Sequence, residues 1–332
     1  MKILKRSAGE SSRTRSASAS VLMALCGLLM AAAPGLAESG TDWITGLPRE
    51  TIHVPSWPGG KKVAVCFIFD VEVWGHGQGP NFRPDTATRT PDVVDEAFRE
   101  YAINFGVPRV AAVFKEEGLP LTIALNALFP SERPDVWKRL RALAPDAPIV
   151  AHGMNNSTQL LPLGQGMAAQ EAYIAKTLDL LEKDTGKRPT GWQSPSVYPN
   201  ADTFSAITAK GVTYTVDGMD SDTLSQIKTK SGPLVMIPYP VTTVDMGQYL
   251  QRAKEPGDME KLWIEYIGEL AREAEADPSR EAVVLVIGIH PFVFGTPNGA
   301  ASMRRVLENL KSQKLVWVTD VESVLGAAGI KP

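Results

Sequence analysis

The chain has 332 residues, a formal net charge of −3, 44% hydrophobic and 21% charged residues. That balance belongs to a folded globular protein and excludes a disordered chain. Mild acidity argues against nucleic acid as the main partner, and two cysteines cannot build a disulfide scaffold.

The chain opens with a basic region, Lys2, Lys5, Arg6, Arg13 and Arg15, followed by an apolar stretch over 21–33 and the small-residue step Gly35-Leu36-Ala37. This pattern predicts a signal peptide over 1–37, cleaved after Ala37, and a secreted or periplasmic protein. An uncleaved membrane anchor is the alternative, although the apolar run is short for a span. After cleavage the chain keeps 29 basic and 36 acidic residues, a net charge near −7, and makes no stable membrane insertion. Cys66 is then the only cysteine, inside Val65-Cys66-Phe67, where a small core residue is expected.

Residues 38–60 read as a lead-in and 61–332 as one barrel domain. Strands are expected at 63–69, 121–127, 149–152, 191–194, 212–216, 234–239, 283–290 and 315–319. Helical periodicity covers 93–117, with a break at Pro108, then 134–143, 168–184, 202–209, 258–274 and 301–310. Gly186 and Gly211 look like helix stops. Alternating helices and near-continuous apolar strands imply an α/β fold with a parallel sheet, either a barrel or a doubly wound sheet.

Polar residues follow the strands: Asp70 and Glu72, His152 and Asn156, Gln193, Asp217, Asp245 and His290. In a parallel arrangement they gather at one rim, which favours a barrel-type site. Each taken alone could instead cap a helix. Asp70 and Glu72 are two apart, so on a strand they face the same side. They could share a metal and a water, one as ligand and one as base; without a metal, their repulsion would raise one pKa. Only four histidines occur. His152 and His290 end strands and are the catalytic candidates; His53 is assigned no role, and His76, in a glycine-rich loop near Asp70, either lines the cleft or is solvated. Trp137, Trp263 and Trp317 read as core; Tyr239 suits core or cleft equally.

Several segments together resemble the polysaccharide deacetylase superfamily, also called carbohydrate esterase family four or NodB-homology proteins. They are Phe69-Asp70-Val71-Glu72, Gly106-Val107-Pro108-Arg109, His152-Gly153, Arg188 through Pro195, Gly211 through Asp217, Ile237-Pro238-Tyr239 and Gly288-Ile289-His290-Pro291. The branch they most resemble holds atypical peptidoglycan deacetylases and cofactor-independent allantoinases. The resemblance implies a distorted (β/α) barrel of the NodB-homology type and hydrolysis of a non-peptide carbon–nitrogen bond. It implies Asp70 as base and His290 as acid, with Asp217 near the carboxylate that polarises that histidine. Glu72, His152 and Asn156 match the positions of the metal ligands; from their own positions beside these residues, Gln193, Trp192 and Trp74 are expected to border the substrate.

Two departures stand out. Asn156 occupies the place of a second histidine ligand, and an amide is a poor zinc ligand. Gln193 replaces an arginine that orients the base, and a neutral amide cannot depress the pKa of Asp70 as a guanidinium would. A divalent metal such as zinc and a metal-free mechanism therefore both stay open. Three functions follow: an exported N-deacetylase of an N-acetylated glycan, a metal-independent hydrolase of a small amide or ureide, and a non-catalytic glycan-binding protein on the same barrel.

Overall fold

The computed structural model describes residues 39–42, 45–79, 82, 89, 91–157, 166–200 and 202–332. The expected signal segment lies outside them. Among the described residues, eleven strands form one sheet: β1 (Ser39–Thr41), β2 (Pro48–Thr51), β3 (Val63–Val71), β4 (Thr122–Leu125), β5 (Ile149–Ala151), β6 (Gly191–Trp192), β7 (Tyr214–Gly218), β8 (Ser225–Thr229), β9 (Gly232–Pro238), β10 (Val283–Ile289) and β11 (Val316–Thr319). All eight strands expected from apolar runs are present. The three others are short and antiparallel. β8 and β9 form a hairpin, and β2 then β1 add to its edge. Their sequences are too polar to signal burial: Pro48-Arg49-Glu50-Thr51 has no apolar residue.

The remaining strands run parallel, in the order β9-β7-β6-β5-β4-β3-β10. β3 is the hub. β10 pairs along one of its edges from Val63 to Phe69, while β11 and β4 divide the other. All nine residues of β3 are buried. Strand parity sorts them onto two faces. Val63, Val65, Phe67, Phe69 and Val71 join the core under the helices. There Phe67 packs edge-on to Phe114 at 5.3 Å and Trp263 at 6.3 Å between ring centroids. Ala64, Cys66 and Ile68 share a second core with Val150, Tyr214, Val216, Ile237, Tyr239, Val284 and Val286. Those residues come from strands all round the sheet, so this second core is the barrel interior. Full burial of each large apolar side chain contributes roughly 1.5–3 kcal/mol.

The expected break at Pro108 takes a specific form. Helix Val93–Tyr101 passes into a wider π-type turn, Ala102–Gly106, and then into helix Val107–Glu117. Proline lacks an N–H, and its ring crowds the carbonyl four residues back, so the preceding turn widens. Helix Met167–Thr185 ends at Gly186 with φ 79°, the left-handed stop expected there.

The barrel is incomplete between β9 and β10, which no ladder joins among the described residues. Tyr239 spans this seam. An added Cβ on Gly288 would lie 2.0 Å from Tyr239 Oη, so only glycine admits the ring. Thr243 Oγ1 donates to the Val286 carbonyl at 3.1 Å on the same seam. Gly288→Ala should therefore cost about 1–3 kcal/mol, the range for overpacking a tight core. Urea unfolding measures this; an unchanged midpoint would mean that the Tyr239 ring is not wedged there.

Candidate active site

Strand parity also builds the site. Asp70 and Glu72 continue the even-numbered face of β3 that points into the barrel. By the same alternation Asn126 follows Ala124, His152 follows Val150, Tyr239 follows Ile237, and His290 follows Val286 and Gly288. All six lie at the C-terminal ends of parallel strands, and all six are buried.

The centre is a pair of carboxylates between two imidazoles. His152 Nε2 lies 3.2 Å from Glu72 Oε1 and 3.9 Å from Asp70 Oδ1. His290 Nε2 lies 3.7 Å from Asp70 Oδ2 and 3.8 Å from Glu72 Oε2. Among the described residues, Asp70 Oδ2 and Glu72 Oε2 have no hydrogen-bond donor. Two carboxylates buried together need positive charge nearby. Burial raises the Asp70 carboxyl to about 7, with the imidazoles opposing the shift. At His290, burial acts downward, but Asp245, Asp70 and Glu72 outweigh it and raise the imidazole to about 10. His152 is raised too, its bond to Glu72 and the charge of Asp70 prevailing over burial.

The orientation of each ring follows from its second nitrogen. His152 Nδ1 is 3.0 Å from the Gln193 carbonyl oxygen, which can only accept, so Nδ1 carries a proton and Nε2 faces the carboxylates. His290 Nδ1 is 2.6 Å from Asp245 Oδ1, and Asp245 Oδ2 accepts from the His290 backbone N–H at 2.7 Å. Asp245 thus fixes the ring and turns Nε2 toward Asp70 and Glu72. It opens helix Asp245–Arg252.

Asp245, not Asp217, is the carboxylate on His290. Asp217 has the opposite parity to Tyr214 and Val216, which point into the barrel. Its Oδ1 accepts from Ser194 N at 3.0 Å, and its Oδ2 from Ser194 Oγ at 2.8 Å and Thr215 Oγ1 at 2.9 Å. Parity also moves Trp192. It is fully buried among the helix-side core and gives Nε1–H to Ser194 Oγ at 3.1 Å, so it does not border the cleft. Its neighbour Gln193 does, and donates to Asp70 Oδ1 at 3.0 Å. Trp74 lines the cleft, tilted against Phe292 with centroids 6.1 Å apart. His53 and His76 lie outside the cleft, beside Glu281 and Glu96.

The cleft above this centre has a volume of about 890 Å³, near the upper end of small-molecule sites. One wall is helix Asp245–Arg252 and the other is the turn Ser196 to Pro199. Tyr198 and Val241, each 53% exposed, stand at its edge. Ser196 and Val197 have φ of 58° and 52°. Such left-handed conformations cost about 1–3 kcal/mol each outside glycine, and most in a β-branched residue.

The donor set suits a divalent cation. Asp70, Glu72 and His152 bring one ligand atom each within 4.8 Å of one another. Two carboxylates and an imidazole are hard and borderline donors that zinc accepts. Asp70 joins Glu72 and His152 in this cluster, beside Asn156, which was expected as a ligand. Asn156 gives its amide N–H to Glu72 Oε1, and its own Oδ1 has no partner.

Asn126 escaped the sequence reading. Its Oδ1 accepts from Val73 N at 2.9 Å and its amide donates to the His152 carbonyl, tying the Glu72 loop to the His152 strand. A lone asparagine after an apolar strand carries no distinctive pattern. Asn126→Ala should strip both buried backbone groups of their partner and cost roughly 1–3 kcal/mol for each. Urea unfolding beside far-ultraviolet circular dichroism tests this, and a loss under about 0.5 kcal/mol would count against the bridge.

No protein-family model and no curated protein matches the chain. Solved structures do. A Mycobacterium smegmatis protein described as a polysaccharide deacetylase superposes with a TM-score of 0.64 at 23% identity, over 83% of this chain and 94% of that one. A Pseudomonas aeruginosa PAO1 protein of the same description gives 0.69 at 22%, over 83% and 93%. The Puue allantoinase gives 0.68 at 25%, over 83% and 92%. This chain has the distorted barrel fold of the polysaccharide deacetylase, or NodB-homology, superfamily.

Proposed function

We propose that the protein is an exported hydrolase of non-peptide carbon–nitrogen bonds that removes the acyl group from an N-acetylated glycan. The observation that carries this reading is the convergence of Asp70, Glu72, His152 and His290 at the floor of one cleft, with His290 held charged by Asp245. The two structures of like fold that are described as polysaccharide deacetylases support it.

The residues divide the work. Asp70, kept a good base by burial and oriented by Gln193, takes a proton from water as the water oxygen bonds to the acyl carbon. Without a bound ion, His152 Nε2–H faces the same space and stabilises the oxygen that gains charge. His290 Nε2–H gives its proton to the nitrogen as the C–N bond breaks, leaving a carboxylic acid and an amine. Asp70 and His290 then exchange the proton that resets them. A bound divalent ion such as zinc would be held by Asp70, Glu72 and His152, and would polarise the amide and acidify the water.

A second reading is metal-free hydrolysis of a small amide or ureide. It is favoured by the two imidazoles that face the carboxylate pair, both shifted toward the protonated form by its charge, and by the likeness to the allantoinase.

Both readings are tested with the N-acetylglucosamine tetramer and with allantoin, with and without chelator. Turnover of one of them is expected, and it should fall roughly 10²–10⁴-fold in His290→Ala. Loss with chelator, together with zinc that is present in the wild type and absent from His152→Ala, selects the metal-assisted form. Binding of the tetramer without turnover of either probe would overturn both readings in favour of a glycan-binding protein.

A further inference from the structure

We infer that Asp217 is a positioning residue: through Ser194 it clamps the strained turn Ser196-Val197 that forms one wall of the cleft. Three of the hydrogen bonds described above end on this one buried carboxylate, and two of them come from Ser194, through its N–H and its hydroxyl. Ser194 is the residue from which the turn departs. Its carbonyl accepts from Val197 N at 2.8 Å, and the Pro195 carbonyl accepts from Tyr198 N at 3.3 Å. Trp192 Nε1 closes on the Ser194 hydroxyl from the opposite side. The chain upstream of the turn is thereby fixed in both position and rotation.

Something must hold that turn. Ser196 and Val197 are two successive non-glycine residues with positive φ, and left to itself such a segment relaxes to negative φ. Elsewhere among the described residues only Ala253 shares this conformation without being glycine. The packing beneath explains part. Gly153, at φ 70°, leaves room for Pro195, whose Cγ would lie 2.5 Å from an added Cβ. Gly153 follows His152 directly, so the turn rests on the backbone that carries a floor histidine. Asp217 supplies the rest. Its burial is costly for a carboxylate, and the bonds it makes are spent on Ser194 alone apart from Thr215. The wall so held presents Ser196, Val197 and Tyr198 to the cleft. Its role is to keep the substrate in register with Asp70 and His290, not to take part in bond making.

The inference rests on the hydrolase reading only for its turnover arm. The test compares the purified wild type with Asp217→Ala, Ser196→Gly and the double variant. In Asp217→Ala, hydrogen exchange of the Val197 and Tyr198 amides should accelerate at least tenfold, while the His152 and His290 amides keep their protection. On whichever of the two probes above is turned over, KM should rise about tenfold with kcat changed less than threefold. Ser196→Gly removes the strain at an exposed position, so in the double variant the turn should recover part of its protection and of its KM. Acceleration spread evenly over β6 and β7, a loss confined to kcat, or strictly additive effects in the double variant would each overturn the clamp. A protein without turnover on either probe still decides the matter through exchange, so failure of the hydrolase reading and failure of the clamp are separable.

Discussion

The rest of the structure depends on two carboxylates buried side by side. Asp70 and Glu72 end the most enclosed strand of the sheet, and each keeps one oxygen without a donor. An isolated pair of that kind would not stay charged in a protein interior. The surroundings show what keeps it in place. Two imidazoles face the pair, each turned by a bond to its other nitrogen, and two neutral amides, Gln193 and Asn156, bind the remaining oxygens. The centre is thus a balance of charge.

Parallel topology makes the balance attainable. Side chains from β3, β5, β6 and β10 meet because their strands end at one rim, and strand alternation decides which residue of each strand enters. The seam between β9 and β10 leaves the barrel unclosed, and Tyr239 against Gly288 seals it beside Asp70. Asn126 joins two of the strand ends, while Asp245 brings helix Asp245–Arg252 to His290. The same helix then forms a wall of the cleft, so orientation of His290 and shape of the cleft are coupled through one element.

Much of this was legible in the amino-acid order. Apolar runs marked all eight parallel strands, and the polar residues after them marked the rim. The short edge strands were not legible, because Pro48–Thr51 and Ser225–Thr229 are mostly polar, with Ile227 their one large apolar residue. Among the site residues, Asp217 and Trp192 sit at strand ends as expected, yet both point away from the cleft. Tyr214-Thr215-Val216-Asp217 does alternate apolar and polar, so parity counted along that strand would have turned Asp217 outward. The partnership of Asp245 with His290 joins residues 45 apart in the chain and has no local signature. The role of Asn126 is equally non-local.

The central claim is that the carboxylate pair is retained at a cost to stability because the site requires it. The most direct test is thermal unfolding of Asp70→Asn beside the wild type, above neutral pH and with chelator present. The substitution keeps the shape and removes one buried charge, while Asp245 still compensates His290. The account predicts a melting temperature a few degrees above wild type, on the order of 1 kcal/mol, together with loss of any hydrolysis. A melting temperature below wild type would contradict it, by showing that the Asp70 charge holds the fold together.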